Sequence, residues 1–190
     1  MKLYYTAASQ PEALQPKPML SLGGFKSSSP VPNSVMGNLF GDVSMYTVKN
    51  NNANAYIGLV LVNDGTEDAF GVNVWFDHPD ESASTFSVAA ADMGTDSEGN
   101  KFMEHVPSLN SKPLYAEFAE ADGEINRVNI GDLPVGGQVG VWIKRSLNID
   151  ALKAQQNSIY KQDPLDPYKF LEVKLPKEDT VGIGLSWDLV

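Results

Sequence analysis

The sequence predicts an all-β chain: an immunoglobulin-like antiparallel β-sandwich with an extended N-terminal arm and a partly helical insertion before the last strand. Three observations predict it. Apolar residues come in short runs of period two, polar turn segments rich in Gly, Pro, Asn and Asp separate the runs, and only one segment has helical periodicity. The 16 glycines and 12 prolines in 190 residues favour strands and turns over long helices. The chain divides into an arm over 1–41 and a sandwich over 42–190 that contains an insertion over 148–179.

The strongest strand signal is Ala55–Phe76, AYIGLVLVNDGTEDAFGVNVWF. In its first run both alternating faces are apolar, Ile57, Leu59 and Leu61 on one and Tyr56, Val60 and Val62 on the other. That pattern predicts a central strand covered on both sides. The second run sets Val72, Val74 and Phe76 against Asn73, Trp75 and Asp77, the alternation of a half-buried strand. Asp42–Lys49 reads as the strand before this pair. After it come Thr85–Ala90 as an edge strand, a polar loop over Asp92–Lys101, strands over Leu114–Ala119 and Glu124–Ile130, and a tight turn at Leu133–Gly137. Gln138–Lys144 follows, with Val139, Val141 and Ile143 opposite Trp142. The closing run Thr180–Val190 places Val181, Ile183, Leu185, Trp187 and Leu189 on one face and assigns Trp187 to the core. In an immunoglobulin-like order the strands carrying Trp75 and Trp142 are neighbours, so the two rings form an aromatic patch on one outer face.

Helical spacing is confined to Asn148–Gln162, with Asn148 or Asp150 as its cap and Pro164 as its stop. The first 41 residues break the rhythm differently. Pro11, Pro16, Pro18 and the stretch SLGGFKSSSPVPN remove donors and favour extended backbone, yet many apolar residues punctuate them. An extended arm lying on its own domain or on a neighbouring subunit accounts for both properties. Its contacts are expected through Leu20, Leu22, Phe25, Leu39 and Phe40, with a second contact from the insertion through Leu152, Ile159, Tyr160, Leu165 and Tyr168. Deleting 1–41 is then expected to leave a folded domain that no longer assembles.

Charge and motifs narrow the function. A net charge of −10, with no basic cluster larger than Lys144-Arg145, opposes direct binding to nucleic acid or an anionic membrane. The absence of cysteine removes disulfide and thiolate chemistry. The N-terminus is too polar for a signal peptide, and no apolar run approaches the ~20 residues of a membrane-spanning helix. The two histidines, His78 and His105, belong to no catalytic constellation, so both read as surface residues and the chain as a non-enzyme without cofactor. Asp92, Asp96, Ser97, Glu98 and Asn100 lack the spacing of a calcium loop and read as solvated turn residues. Gly23-Gly24 and Gly136-Gly137 read as turn glycines rather than phosphate cradles. An exposed Trp75/Trp142 face would instead suit a carbohydrate-binding or adhesin-like module.

Several segments together resemble a known group. SLGGFKSSSPVPN, NLFGDVS, YIGLVLVN, LPVGGQVGVWIKRSL and the closing GIGLSW are similar to virion structural proteins of tailed bacteriophages. The resemblance runs over most of the chain from Leu20 but leaves out the insertion Ile149–Asp179. It implies a non-enzymatic head, neck or tail component, present in many copies and contacting other virion proteins or copies of itself. Such a chain is made in the host bacterial cytoplasm and ends in the virion.

Overall fold

The computed structural model describes residues 1–15, 17–32, 39–40, 51, 53–77, 83–153, 162–163, 166–170 and 182–189. The described chain is all-β. Its strands are β1 (Lys2–Ala7), β2 (Gly23–Pro30), β3 (Asn54–Val62), β4 (Ala69–Asp77), β5 (Ser84–Ala91), β6 (Met93–Thr95) and β7 (Lys101–His105). They continue with β8 (Ala119–Glu120), β9 (Val128–Leu133), β10 (Gln138–Leu147), β11 (Gln162–Asp163), β12 (Asp166–Phe170) and β13 (Gly182–Leu189). An eight-stranded sheet in the order β6-β7-β2-β1-β3-β10-β5-β8 packs on a three-stranded sheet, β13-β4-β9, and β11-β12 form a separate ribbon.

β3 is central, as its doubly apolar pattern predicts. One face presents Ile57, Leu59 and Leu61, all fully buried against Val72, Val74 and Phe76 of β4 and Ile130 and Leu133 of β9. The other presents Tyr56 and Val60, which pack with Trp142, Met103, Val106 and Ala116 in a second apolar cluster. Each large side chain so buried contributes on the order of 1.5–3 kcal/mol. The small sheet closes the first face, while the β7 strand and the loop after it close the second.

The two runs of Ala55–Phe76 lie in different sheets, β3 in the large one and β4 in the small one. Asn63 explains the crossing. Its amide Nδ2 donates to the carbonyls of Glu67 and Leu133, both at 2.9 Å, and its Oδ1 accepts from Gly65 N at 3.1 Å. Buried and fully bonded, this one side chain bends residues 63–68 from one sheet to the other. At the opposite end residues 121–123 tie the sheets together. Phe76 N donates to Ala121 O, Ala121 N to Phe86 O, and Phe86 N to the Asp122 carboxylate at 2.9 Å.

The expected arm is corrected over its first 30 residues. β1 pairs with β3 from Lys2–Val62 to Tyr5–Leu59, and β2 pairs with β1, so both are interior strands of the large sheet. Leu39 and Phe40 are buried in the main core, with the Phe40 ring 6.3 Å from that of Phe86 and the Arg145 guanidinium 4.9 Å above it. Burial pulls the Arg145 guanidinium down to about 10, which leaves it protonated at neutral pH. Removing 1–41 would therefore strip strands from the sheet rather than trim a tail.

Smaller corrections follow the same logic. Asp92–Lys101 contains the β6–β7 hairpin, and β5 pairs with both β10 and β8. Residues 114–118 are not strand, and a short 3-10 turn at Glu124–Asn126 precedes β9. Asn148 does cap a helical turn, accepting from Ala151 N at 3.0 Å. On β13, Ile183 and Leu185 pack on the core as expected, but its register with β4 slips between Ser186 and Asp188. Beyond that slip Trp187 and Leu189 are exposed, so Trp187 is not a core residue. The expected strand Asp42–Lys49 and the helix beyond Lys153 lie outside the described residues.

Candidate assembly surface

The segment Ser21–Gly24, SLGG, is an internal latch. Ser21 Oγ accepts from Thr6 N at 2.7 Å and donates to Gly58 O at 2.5 Å. Thr6 Oγ1 accepts from Gly23 N at 2.9 Å, and Gly58 N returns a bond to Ser21 O at 2.8 Å. Both hydroxyl residues are fully buried, so the cluster substitutes for a ladder where β1 leaves the edge of β3. The two glycines are required on two counts. Their φ angles are +88° and +97°, and a Cβ would fall 1.8 Å from Glu104 O at Gly23 and 2.5 Å from Ala7 O at Gly24.

The outer edge of this region displays apolar side chains. Met19 and Leu20 are exposed and lead into the half-buried Leu22, whose carbonyl accepts from Val106 N. Phe25 is half-buried against Phe102, with ring centroids 5.7 Å apart. Most prominent are Leu114 and Tyr115, 79% and 83% exposed. They occupy a two-residue tip between the buried Pro113 and Ala116. Leu114 N donates to both carboxylate oxygens of Glu104, at 3.0 and 2.9 Å, and Phe118 anchors the exit by packing 5.5 Å from the Tyr56 ring. A tip fixed at both ends has already lost most of the freedom that binding would remove. Exposed aromatic and leucine side chains held this way are suited to filling a socket on a partner.

The expected site residues divide accordingly. Leu20 is exposed, Leu22, Phe25 and Leu152 are half-buried, and Leu39 and Phe40 are core residues unavailable to any partner. Ile159, Tyr160 and Leu165 lie outside the described residues, as does the side chain of Tyr168, whose backbone belongs to β12. The Trp75/Trp142 patch is corrected outright. Trp142 is 1% exposed inside the second cluster, on the far side of the large sheet. Trp75 is 9% exposed on the small sheet, where it covers Gly184 of β13: a Cβ at Gly184 would lie 2.0 Å from its ring. The two rings share no face. Leu114 and Tyr115 went unassigned as contacts because LYAEFA reads as a strand. The available signal was Pro113, followed by two adjacent large apolar residues where a half-buried strand would alternate.

The other chemical candidates resolve into structure. Asp96 accepts from Glu98 N, Asn100 N and Asn100 Nδ2 at 2.8–3.0 Å, and the Asn100 side chain foremost holds its carboxyl below the usual range. Its oxygens serve the hairpin turn between β6 and β7. Among the described residues no three His, Cys, Asp or Glu side chains converge as a metal site. His105 is exposed, and His78 lies outside the described residues. No described helix is long and apolar enough to cross a membrane. Comparisons with protein-family models, curated proteins and solved structures found no match.

Proposed function

We propose that this chain is a non-enzymatic structural component of a tailed-phage virion, a head, neck or tail accessory protein that works by docking. The observation that carries the reading is the Leu114–Tyr115 tip: two large apolar side chains held outward on a rigid β platform, which suits protein contact. The sequence resemblance supplies the setting, and the tip takes over the contact role first expected of the arm. The immunoglobulin-like form of the sandwich belongs to this proposal as well. An adhesin-like module has less support, since its stacking face needed Trp75 and Trp142 in solvent and both are buried.

The test is compositional. Mass spectrometry of tailed particles purified from the lysate of the encoding phage should find the chain in many copies per particle. A chain found only in the soluble fraction, and missing from purified particles, would sink the reading.

A further inference from the structure

We infer that residues 11–15 are an edge guard: laid along the outer side of β2, they keep its backbone from pairing with a strand of a second copy of this chain. An open strand edge is a template for pairing, so stable β proteins shield their longer edges. The inference is independent of the Leu114–Tyr115 tip and of the virion reading.

β2 has such an edge over its second half. On one side it pairs with β1 from Phe25 to Pro30, whereas on the other β7 meets only Gly23, Gly24 and Phe25. Beyond Phe25 the outer backbone groups are taken by the β1–β2 connection. Glu12 N donates to Lys26 O at 2.9 Å, and Ser28 N donates to Ala13 O at 3.2 Å. Gln15 N donates to Ser29 Oγ at 3.0 Å, so residues 12–15 follow β2 in its own direction without becoming a strand. Among the described residues the end strands of the large sheet, β6 and β8, have three and two residues, and edges so short recruit other strands poorly.

The connection is built to hold this position. Ala7 and Phe25 are register partners, so a hairpin loop of about 2–5 residues could join the two strands, yet the link runs over 8–22. Glu12 adopts a φ of +57°, a left-handed backbone that side chains disfavour. What fixes it there is the bond to Lys26 O and an ion pair between its carboxylate and Lys26 Nζ. Lys26 Nζ also lies 4.5 Å above the Tyr4 ring, which ties the guard to β1. Gln15 Nε2 donates to Thr6 O and Leu20 O, at 3.4 and 3.2 Å, and closes the loop behind the guard. Leu14 is 76% exposed, so hydrogen bonds and charge hold the segment rather than core packing. Such a segment can be displaced without emptying the core.

The experiment combines amide hydrogen exchange at Ser28 with sedimentation velocity of the full chain from about 1 to about 100 µM. In wild type the Ser28 amide should be protected. Glu12→Pro removes the donor to Lys26 O and forbids the left-handed backbone. Protection at Ser28 should then fall at least ~tenfold while the amides of β1 and β3 keep theirs. The same variant should form larger species than wild type at equal concentration. Glu12→Gly keeps both the donor and the backbone angle and should behave as wild type. Ser28 is exposed and its N–H faces the guard, so adding Ser28→Pro to Glu12→Pro blocks the bared edge and should restore wild-type sedimentation.

A Ser28 amide that exchanges freely in wild type overturns the inference, as does one that stays protected in Glu12→Pro. Lost protection without added association overturns it too, and so does association that Ser28→Pro fails to reverse. If Glu12→Pro has no cooperative melt, a variant with 11–15 replaced by glycine and serine takes its place. Should that variant also be unfolded, the segment is framework and the guard is overturned. None of these outcomes bears on whether the chain is found in purified particles, so the virion reading stands or falls separately.

Discussion

Two short segments of this chain invert the usual rule of apolar inside and polar outside. Residues 21–24 bury a serine hydroxyl and bare backbone at the centre of the large sheet, whereas residues 114–115 hold a leucine and a tyrosine in solvent. In each case a hydrogen-bond network stabilises the exception. Ser21 and Thr6 satisfy one another and Gly58, so burial leaves no polar group unpaired. Glu104 holds the Leu114 amide, so exposure does not make the tip floppy. The difference teaches where each function sits: the first segment is framework, the second is contact. Substitutions in the first should change stability, and substitutions in the second should change association alone.

The largest expected effect is at Gly23. Gly23→Val adds a branched side chain where a Cβ already meets Glu104 O at 1.8 Å and φ is +88°. It should cost at least about 3 kcal/mol and leave little folded protein, as read by circular dichroism and a thermal melt. A melt within a few degrees of wild type would show that the latch is not framework. Next comes Ser21→Ala, which deprives the buried Thr6 N of its acceptor and Gly58 O of a donor. A loss of about 1–3 kcal/mol in urea unfolding is expected.

The reciprocal variant sharpens the comparison. L114S/Y115S should alter unfolding free energy by no more than about 0.5 kcal/mol, since neither side chain is buried. A large loss would move the tip into the framework class. The smallest effect belongs to Asp64. The ammonium of Met1 donates to its carboxylate at 3.0 Å and holds that carboxyl below its ordinary value of 3.8. A depressed carboxyl contributes stability above the ordinary value and loses it as pH falls through the folded one. Asp64→Asn should therefore differ from wild type near neutral pH and converge with it in acid. Because Asp64 is 43% exposed, the difference should stay under about 1 kcal/mol.

What the sequence revealed follows from which physical signals have a period. Ile57, Leu59 and Leu61 alternate cleanly, and so do Val72, Val74 and Phe76, so the inner faces of β3 and β4 were legible. β2 was not, because GGFKSSSP fills its buried positions with Gly23, Gly24 and Ser27, which are buried by being small rather than apolar. Composition alone reads such a strand as loop, and the arm assignment followed from it. The tryptophans show a second limit. Trp75 and Trp142 do point away from the main core, as their parity indicates, yet Trp142 is enclosed by the second cluster and Trp75 is buried against Gly184 of β13. Alternation reports which face a residue is on and says nothing about what lies over that face. The separation of β3 and β4 into two sheets was set by the amide of Asn63, and a single turn residue carries no periodic signature.

The most direct test of this account is limited proteolysis of the folded chain, with fragment masses read over time. β1 and β2 lie between β3 and β7 in the large sheet, so bonds within 2–7 and 23–30 should resist cleavage as long as the sandwich does. A stable fragment that has quickly lost residues 1–41 would contradict the account, because the N-terminal segment would then be an appendage and its latch to Gly58 would not hold.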